Sequence, residues 1–120
     1  MIVIRTFGYR WRNASDDADV VVDCRGLRNP YRDKKLRKWN GVHPAVKSEI
    51  MKTPGFEKFY WYNLDRVRAA VAERQPLMVE VGCFGGKHRS VAIGEMFARD
   101  LSGFGYEVDL SHTSPAMEGW

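Results

Sequence analysis

The segment 81–90 combines residue types that could hold a phosphate group. It reads VGCFGGKHRS, in which Gly-rich backbone is followed directly by three potential cations and a hydroxyl. A loop of this kind, between a buried strand and a helix, points backbone N–H groups and the positive end of the helix dipole at one place. The alternative is a Gly-rich turn whose cations are merely solvated. The predicted anion ligands from this segment are Gly85, Gly86, Lys87, His88, Arg89 and Ser90.

The same segment matches one enzyme motif in part and fails another. A Walker A loop requires glycine at position 81 and Ser or Thr at position 88, where this chain has valine and histidine. Cys83 and Arg89 have the C-x5-R-[ST] spacing of cysteine phosphatases, in which a thiolate attacks phosphorus while arginine holds the oxygens. Gly82 replaces the histidine usual before that cysteine. The sequence therefore leaves a phosphatase, with Cys83 as nucleophile and Arg89 as clamp, as the alternative to a binding protein.

A second basic feature is the segment 25–38, which carries seven cations against one carboxylate, Asp33. The formal net charge of the whole chain is +4, and this segment accounts for all of that positive excess. Tyr31 lies among its cations and Trp39 directly follows them. Such a patch suits phosphate backbones and base stacking, so it predicts contact with RNA. The alternatives are a solvated loop or pairing with the aspartates at 16, 17 and 19. The predicted RNA-binding residues are Arg28, Arg32, Lys34, Lys35, Arg37 and Lys38.

Hydrophobic periodicity indicates the elements that must position these loops. Apolar and β-branched runs predict strands, and apolar residues at helical spacing predict helices. The resulting order predicts a single α/β domain with a small, mostly parallel or mixed sheet and flanking helices. The predicted strands are 1–7, 18–22, 77–82 and 106–110, and the predicted helices are 44–51, 56–74 and 88–101.

The composition limits the class of protein further. The chain has 120 residues, 44% hydrophobic and 28% charged, which is typical of one globular domain and not of disorder. With two cysteines and neither a signal sequence nor a run of about 20 apolar residues, we expect a cytoplasmic protein that does not enter membranes. His43, His88, His112 and Cys83 offer no close pair of metal ligands, so we expect no metal and no cofactor.

Three blocks of sequence resemble a known family. GCFGGKHRSV at 82–91 resembles the signature of the RapZ (RNase adaptor protein) C-terminal domain. DCRGLRNP at 23–30 and NGVHPAV at 40–46 are similar to two further blocks of that family, in the same order and at the same spacing. The resemblance runs over 1–112, and 113–120 is expected to be a flexible tail. It suggests a stand-alone relative of that domain, without the nucleotide-binding half of the longer family members.

The resemblance implies a fold akin to a sugar-phosphate-binding subdomain of phosphofructokinases. It also implies binding of glucosamine 6-phosphate and of small RNA. Asp23, Gly85, His88 and Arg89 stand at positions of the family's sugar-phosphate pocket. Tyr31 and Phe84 stand at two other pocket positions, with residue types that depart from the family's usual ones. The family's basic C-terminal tail is replaced here by HTSPAMEGW.

These observations favour a non-enzymatic domain that senses a phosphorylated sugar and binds RNA. Its expected partners are a phosphorylated small molecule, with glucosamine 6-phosphate as the candidate, and RNA. The aromatic run at 59–62 lies on two faces of a predicted helix. One face belongs to the core, so Trp61 or Tyr62 is free to serve a contact between subunits of a homo-oligomer.

Overall fold

The β-branched and apolar runs form the strands of one sheet, and the amphipathic segments form three helices. The computed structural model describes all residues from 1 to 120. None of the helices is long and apolar enough to cross a membrane. The strands are β1 (Ile2–Gly8), β2 (Val20–Asp23), β3 (Leu77–Cys83) and β4 (Val108–His112), and the helices are α1 (Pro44–Met51), α2 (Phe56–Glu73) and α3 (Arg89–Gly103).

The four strands are all parallel and lie in the order β2-β3-β1-β4. In this register Gly8 lies opposite Cys83, and Asp23 lies opposite Gly82. The carboxyl ends of the strands therefore meet at one edge, which in open α/β sheets is the edge where ligands bind. The predicted α/β class with a small parallel sheet is confirmed.

All three helices pack on one face of the sheet. Leu77, Val79 and Val81 of β3 belong to a buried cluster that includes residues of every helix. The other face is covered by the loop that follows β1. There the fully buried carboxylate of Glu80 accepts two hydrogen bonds from Arg12, at 2.7 and 3.1 Å, and one from the Ser15 backbone N–H at 2.7 Å. That ion pair fixes the course of the loop that leaves the carboxyl edge after β1 and leads to β2.

The boundaries differ from the predicted ones mainly near the C-terminus. The last strand begins at Val108 rather than at residue 106, because Gly105 adopts a φ of +95° in the turn before it. Beyond β4, the segment 113–120 contains a short 3₁₀ helix, Pro115–Met117, preceded by the buried Ser114. Packing therefore continues past residue 112, while the flexibility expected of this segment stays a prediction.

Candidate anion-binding site

A cleft of about 340 Å³ opens at the carboxyl edge of the sheet. Its walls are the loop after β3, the loop after β1, the start of the 25–38 segment and the C-terminal 3₁₀ helix. The structure brings six of the predicted ligand residues to this cleft. They are Tyr31, Phe84, Gly85, Lys87, His88 and Arg89.

The backbone between β3 and α3 presents a run of free hydrogen-bond donors. None of the N–H groups from Phe84 to Val91 donates to an acceptor within the protein. The strand ladder ends at Cys83, and the first N–H groups of α3 have no carbonyl one turn earlier. Consecutive free N–H groups at a helix N-terminus attract anions, because their partial positive charges add to the helix dipole. This run of free N–H groups is the feature of the edge that makes it a candidate anion site.

Gly86 sets the shape of this turn. Its φ is +70°, a conformation that glycine adopts without strain. A Cβ at this position would lie 2.6 Å from Cβ of Ser114 and 2.7 Å from the backbone nitrogen of Gly8. Ser114 in turn donates from Oγ to the carbonyl oxygen of Gly85 at 2.8 Å. The turn is thus packed between β1 and the C-terminal segment, and its geometry is fixed before any ligand arrives.

Two cations connect the turn to the 25–38 segment. Arg89 is only 7% exposed, and its Nη1 donates to the carbonyl oxygens of Arg25 at 2.8 Å and Leu27 at 3.3 Å. Its Nε and Nη2 have no acceptor in the protein. Lys87 donates from Nζ to the carbonyl oxygen of Arg37 at 2.9 Å. These side chains both supply positive charge to the cleft and anchor the loop that forms its opposite wall.

His88 lies beside the first turn of α3 with an unsatisfied ring nitrogen. The residue is 6% exposed, and its Nε2 is buried without a hydrogen-bond partner. Burial lowers the pKa of His88 from its ordinary value of 6.5, and the Lys87 charge lowers it further. A hydrogen bond with the Trp39 backbone acts in the opposite direction, and its effect is weaker than that of burial. The ring is therefore neutral near pH 7. A buried nitrogen left unpaired costs about 1–3 kcal/mol.

Three predicted ligand residues lie outside the lining of the cleft. Asp23 forms a bidentate ion pair with Arg25, with contacts from 2.8 to 3.2 Å, and this hydrogen bonding lowers the pKa of Asp23. Gly86 packs against Ser114 and β1, as described above. Ser90 is fully buried and accepts a hydrogen bond from the Cys83 thiol. The structure therefore places these residues as supports of the cleft.

The arrangement around Cys83 does not support a phosphatase. The residue lines the cleft, but its side chain is 2% exposed and lies 3.2 Å from Oγ of Ser90, so the sulfur has little access to a substrate. The guanidinium of Arg89 is held by two carbonyl oxygens of the facing loop.

In the whole chain, no three His, Cys, Asp or Glu side chains cluster as metal ligands do.

The sequence reasoning missed four residues of the cleft: Arg10, Trp11, Asn29 and Ala116. Arg10 and Trp11 directly follow β1, and Arg10 donates from its backbone N–H to the Phe84 carbonyl oxygen at 2.9 Å. Because parallel strands end at the same edge, the residues after β1 were predictable neighbours of the loop after β3. No feature of the sequence indicates that Ala116 lines the cleft.

The predicted RNA-binding residues form an exposed surface beside the cleft. Arg28 pairs with Glu49 at 2.6 Å, Arg37 lies over the Tyr31 ring and Lys38 lies over the Trp39 ring. The nearby aspartates do not neutralise this loop, because Asp17 pairs with Arg5 and Asp19 pairs with Arg74. Of the six predicted RNA-binding residues, five form no ion pair: Arg32, Lys34, Lys35, Arg37 and Lys38.

The fold and the cleft define an α/β domain with a cationic cleft at the carboxyl edge of a parallel sheet. The family model for the RapZ C-terminal domain matches residues 1–115. The chain belongs to this family, as the three sequence blocks predicted.

Similar proteins from several bacteria agree with this assignment. A nucleotide-binding protein of Clostridioides difficile is 38% identical over 116 residues, which cover 92% of this chain and 40% of that protein. A nucleotide-binding protein of Deinococcus radiodurans is 34% identical over 122 residues, covering 97% of this chain and 43% of that protein. The chain thus spans about two-fifths of the length of these relatives, and neither name refers to a phosphatase.

Proposed function

We propose that this domain is a non-enzymatic sensor that binds a phosphorylated sugar in the cleft and contacts RNA through the basic segment 25–38. The observation that carries the proposal is the run of N–H groups from Phe84 to Val91 without acceptors, beside the unpaired Nε2 of His88. Arg10, Lys87 and Arg89 supply positive charge to the same cleft. Fixed donors of this kind favour a phosphate group, whose oxygens accept several hydrogen bonds at once.

The surroundings of the N–H groups support a sugar as the remainder of the ligand. Trp11, Tyr31 and Phe84 line the cleft and are 49%, 57% and 56% exposed, so they offer apolar surface to the C–H face of a sugar. The volume of about 340 Å³ lies at the small end of ligand cavities. Glucosamine 6-phosphate is the candidate, on the resemblance to the family. Nucleotides belong in the same test, because the similar bacterial proteins are named nucleotide-binding.

Unpaired cations next to the cleft support the proposed contact with RNA. Arg32, Lys34 and Lys35 are exposed and form no ion pair, so they can neutralise backbone phosphates without first breaking an ion pair within the protein. Tyr31 lies within the same segment and is 57% exposed, so it offers a ring for base stacking, while Trp39 directly after the segment is already stacked on His43. The cytoplasmic location expected from the sequence stays a prediction.

A contact between two copies of the chain is proposed on α2. Trp61 and Tyr62 lie on this helix and are 48% and 65% exposed. Aromatic side chains of this size are enriched at the centres of protein interfaces. Light scattering after size exclusion will show a dimer that Trp61→Ser shifts toward monomer; a monomer at every concentration would contradict the contact.

Calorimetric titration tests the proposed ligand class. The panel is glucosamine 6-phosphate, glucose 6-phosphate, adenosine 5′-monophosphate, inorganic phosphate and unphosphorylated glucosamine. We expect binding of a phosphorylated sugar and none of glucosamine, with Lys87→Gln weakening the interaction. Lys58→Gln, which removes an exposed charge from α2, is the matched control and retains wild-type affinity. Failure of every phosphorylated compound to bind at millimolar concentration would overturn the proposal.

A further inference from the structure

The cleft continues into a second, more open groove. Asn29 lines both, and the groove of about 660 Å³ carries no apolar side chain. Tyr31 lines the cleft, whereas the next residue, Arg32, lines the groove. The cleft and the groove are therefore adjacent, and a ligand longer than a monosaccharide has both within reach.

The groove keeps positive charge that the protein does not use. Arg28 is paired with Glu49, a carboxylate whose pKa this arginine lowers. Arg32, Lys34 and the carboxylate of Asp33 also line the groove, and neither of these two cations forms an ion pair. The cleft, in contrast, offers hydrogen-bond donors at fixed positions and three aromatic rings. The two parts of the surface thus suit two different parts of one anionic chain.

We propose that the cleft receives the 5′-phosphorylated end of a single-stranded RNA. The terminal phosphate binds free N–H groups of the cleft-lining residues Phe84, Gly85, Lys87, His88 and Arg89, the first base stacks on one of the exposed rings, and the following backbone phosphates lie along Arg32 and Lys34. This inference rests on the proposed function, because the terminal phosphate uses the same donors as the phosphorylated sugar.

The chemistry of the two ligands explains why one site would accept both. A nucleotide 5′-phosphate and a hexose 6-phosphate are both phosphate monoesters of a primary sugar hydroxyl. A monoester carries a charge of about −1.5 to −2 near pH 7, with three oxygens free to accept hydrogen bonds. An internal phosphodiester carries a single charge and has two such oxygens. The dense N–H groups and the three cations of the cleft therefore discriminate in favour of a terminal phosphate.

Fluorescence anisotropy with two otherwise identical probes tests the inference. Both are 10-nucleotide oligouridines labelled at the 3′ end, one with a 5′-monophosphate and one with a 5′-hydroxyl. We expect the phosphorylated probe to bind about tenfold more tightly or better. Lys87→Gln should reduce this preference, because Lys87 lines the cleft. Arg32→Gln should weaken both probes by the same factor and leave the preference intact, while Lys58→Gln should change neither.

The outcomes separate this inference from the function on which it rests. Equal affinity for the two probes, in a protein that binds glucosamine 6-phosphate by calorimetry, would overturn the 5′-end inference and leave the sugar site standing. Equal affinity in a protein that binds no phosphorylated sugar would overturn both. A phosphate preference that survives Lys87→Gln but disappears in Arg32→Gln would also contradict the inference, because it would place the terminal phosphate in the groove.

Discussion

Two neighbouring basic regions of this domain obtain their positive charge in different ways. The phosphate loop, residues 83–90, is largely buried and presents backbone N–H groups fixed by a strand end, a helix start and a left-handed glycine. The basic loop, residues 25–38, is largely exposed and presents long side chains. The first holds donors at set positions, whereas the second must order its side chains when a ligand binds. We therefore expect geometric selectivity from the phosphate loop and salt-dependent affinity from the basic loop.

The two regions are also mechanically connected. Arg89 and Lys87 of the phosphate loop donate to carbonyl oxygens of Arg25, Leu27 and Arg37 in the basic loop. A substitution in the phosphate loop therefore disturbs both regions, while a substitution of an exposed lysine in the basic loop disturbs only its own charge. This asymmetry determines the order of the effects expected below.

The largest effect is expected from Gly86→Ala. The left-handed backbone and the contacts with Ser114 and Gly8 leave no room for a methyl group. The strained conformation costs about 1–2 kcal/mol and the overpacking a further ~1–3 kcal/mol. Chemical denaturation should therefore show a free energy of unfolding lower by about 2–5 kcal/mol. Gly85→Ala is the matched control, because no atom lies within 4 Å of the place that its added methyl group would take. Equal stability of the two variants would contradict the account of the turn.

Arg89→Ala should have the next largest effect, on binding. It removes a buried charge from the cleft and also the hydrogen bonds to the carbonyls of Arg25 and Leu27. By comparison with other truncated buried charges, the loss in sugar-phosphate affinity should be about 2–4 kcal/mol by calorimetry. Arg89→Lys, which keeps the charge but not the planar donors, should recover part of it. If Arg89→Ala binds within threefold of wild type, the arginine does not serve the cleft.

Replacing Lys34, Lys35 and Lys38 together with Gln should affect RNA and not the sugar phosphate. If four cations of the basic loop contact phosphates, the logarithm of affinity falls with the logarithm of salt at a slope of about −3, and the triple variant reduces that slope by about two. Binding should weaken equally for all sequences, because these residues contact phosphates rather than base edges. Gel-shift titrations at two salt concentrations measure the slope. An unchanged slope would show that this loop serves another purpose.

Stability should decrease in mild acid through His88. Its pKa in the folded protein is lowered by burial, so below pH 6.5 the unfolded chain binds more protons at this residue than the folded one. The free energy of unfolding should therefore fall as the pH drops from about 7 to 5, above the range where the carboxylates titrate. Denaturation of His88→Gln should lack this component. A wild-type stability that is constant between pH 7 and 5 would contradict the burial effect.

The smallest effect is expected from Cys83→Ser. The thiol is buried and donates to Ser90, a contact that a serine hydroxyl can reproduce. Affinity for a phosphorylated sugar should stay within about twofold, well below the tenfold that corresponds to 1.4 kcal/mol. Turnover of an aryl phosphate should stay at background in both proteins. A thiol-dependent turnover in the wild type that Cys83→Ser abolishes would establish the phosphatase chemistry instead.

The strands, helices and the glycine-rich turn were predictable because their signals are local. The run VVV at 20–22 and the stripe from Phe56 to Val71 fix their elements through hydrophobic periodicity alone. Lys87, His88 and Arg89 were found because they follow glycines at the start of a helix. The position of Arg10 and Trp11 required the strand order, which brings β1 next to β3.

Long-range pairing accounts for what the sequence could not provide. His112 lies between Thr6 at 2.7 Å and Glu95 at 3.0 Å, both of which are distant from it in the sequence. The role of Ala116 as a wall of the cleft depends on how the C-terminal segment turns after β4. No local pattern specifies such partners.

The central claim is that the backbone of residues 84–91 holds the phosphate, and amide NMR tests it most directly. A ¹⁵N–¹H correlation spectrum is recorded during titration with glucosamine 6-phosphate and, separately, with inorganic phosphate. The account predicts that both titrations shift the amides of Phe84, Gly85, Lys87, His88 and Arg89 the most, because the free N–H groups of these cleft-lining residues gain charged acceptors. Shifts confined to residues 25–38, with those amides unmoved at saturation, would contradict it.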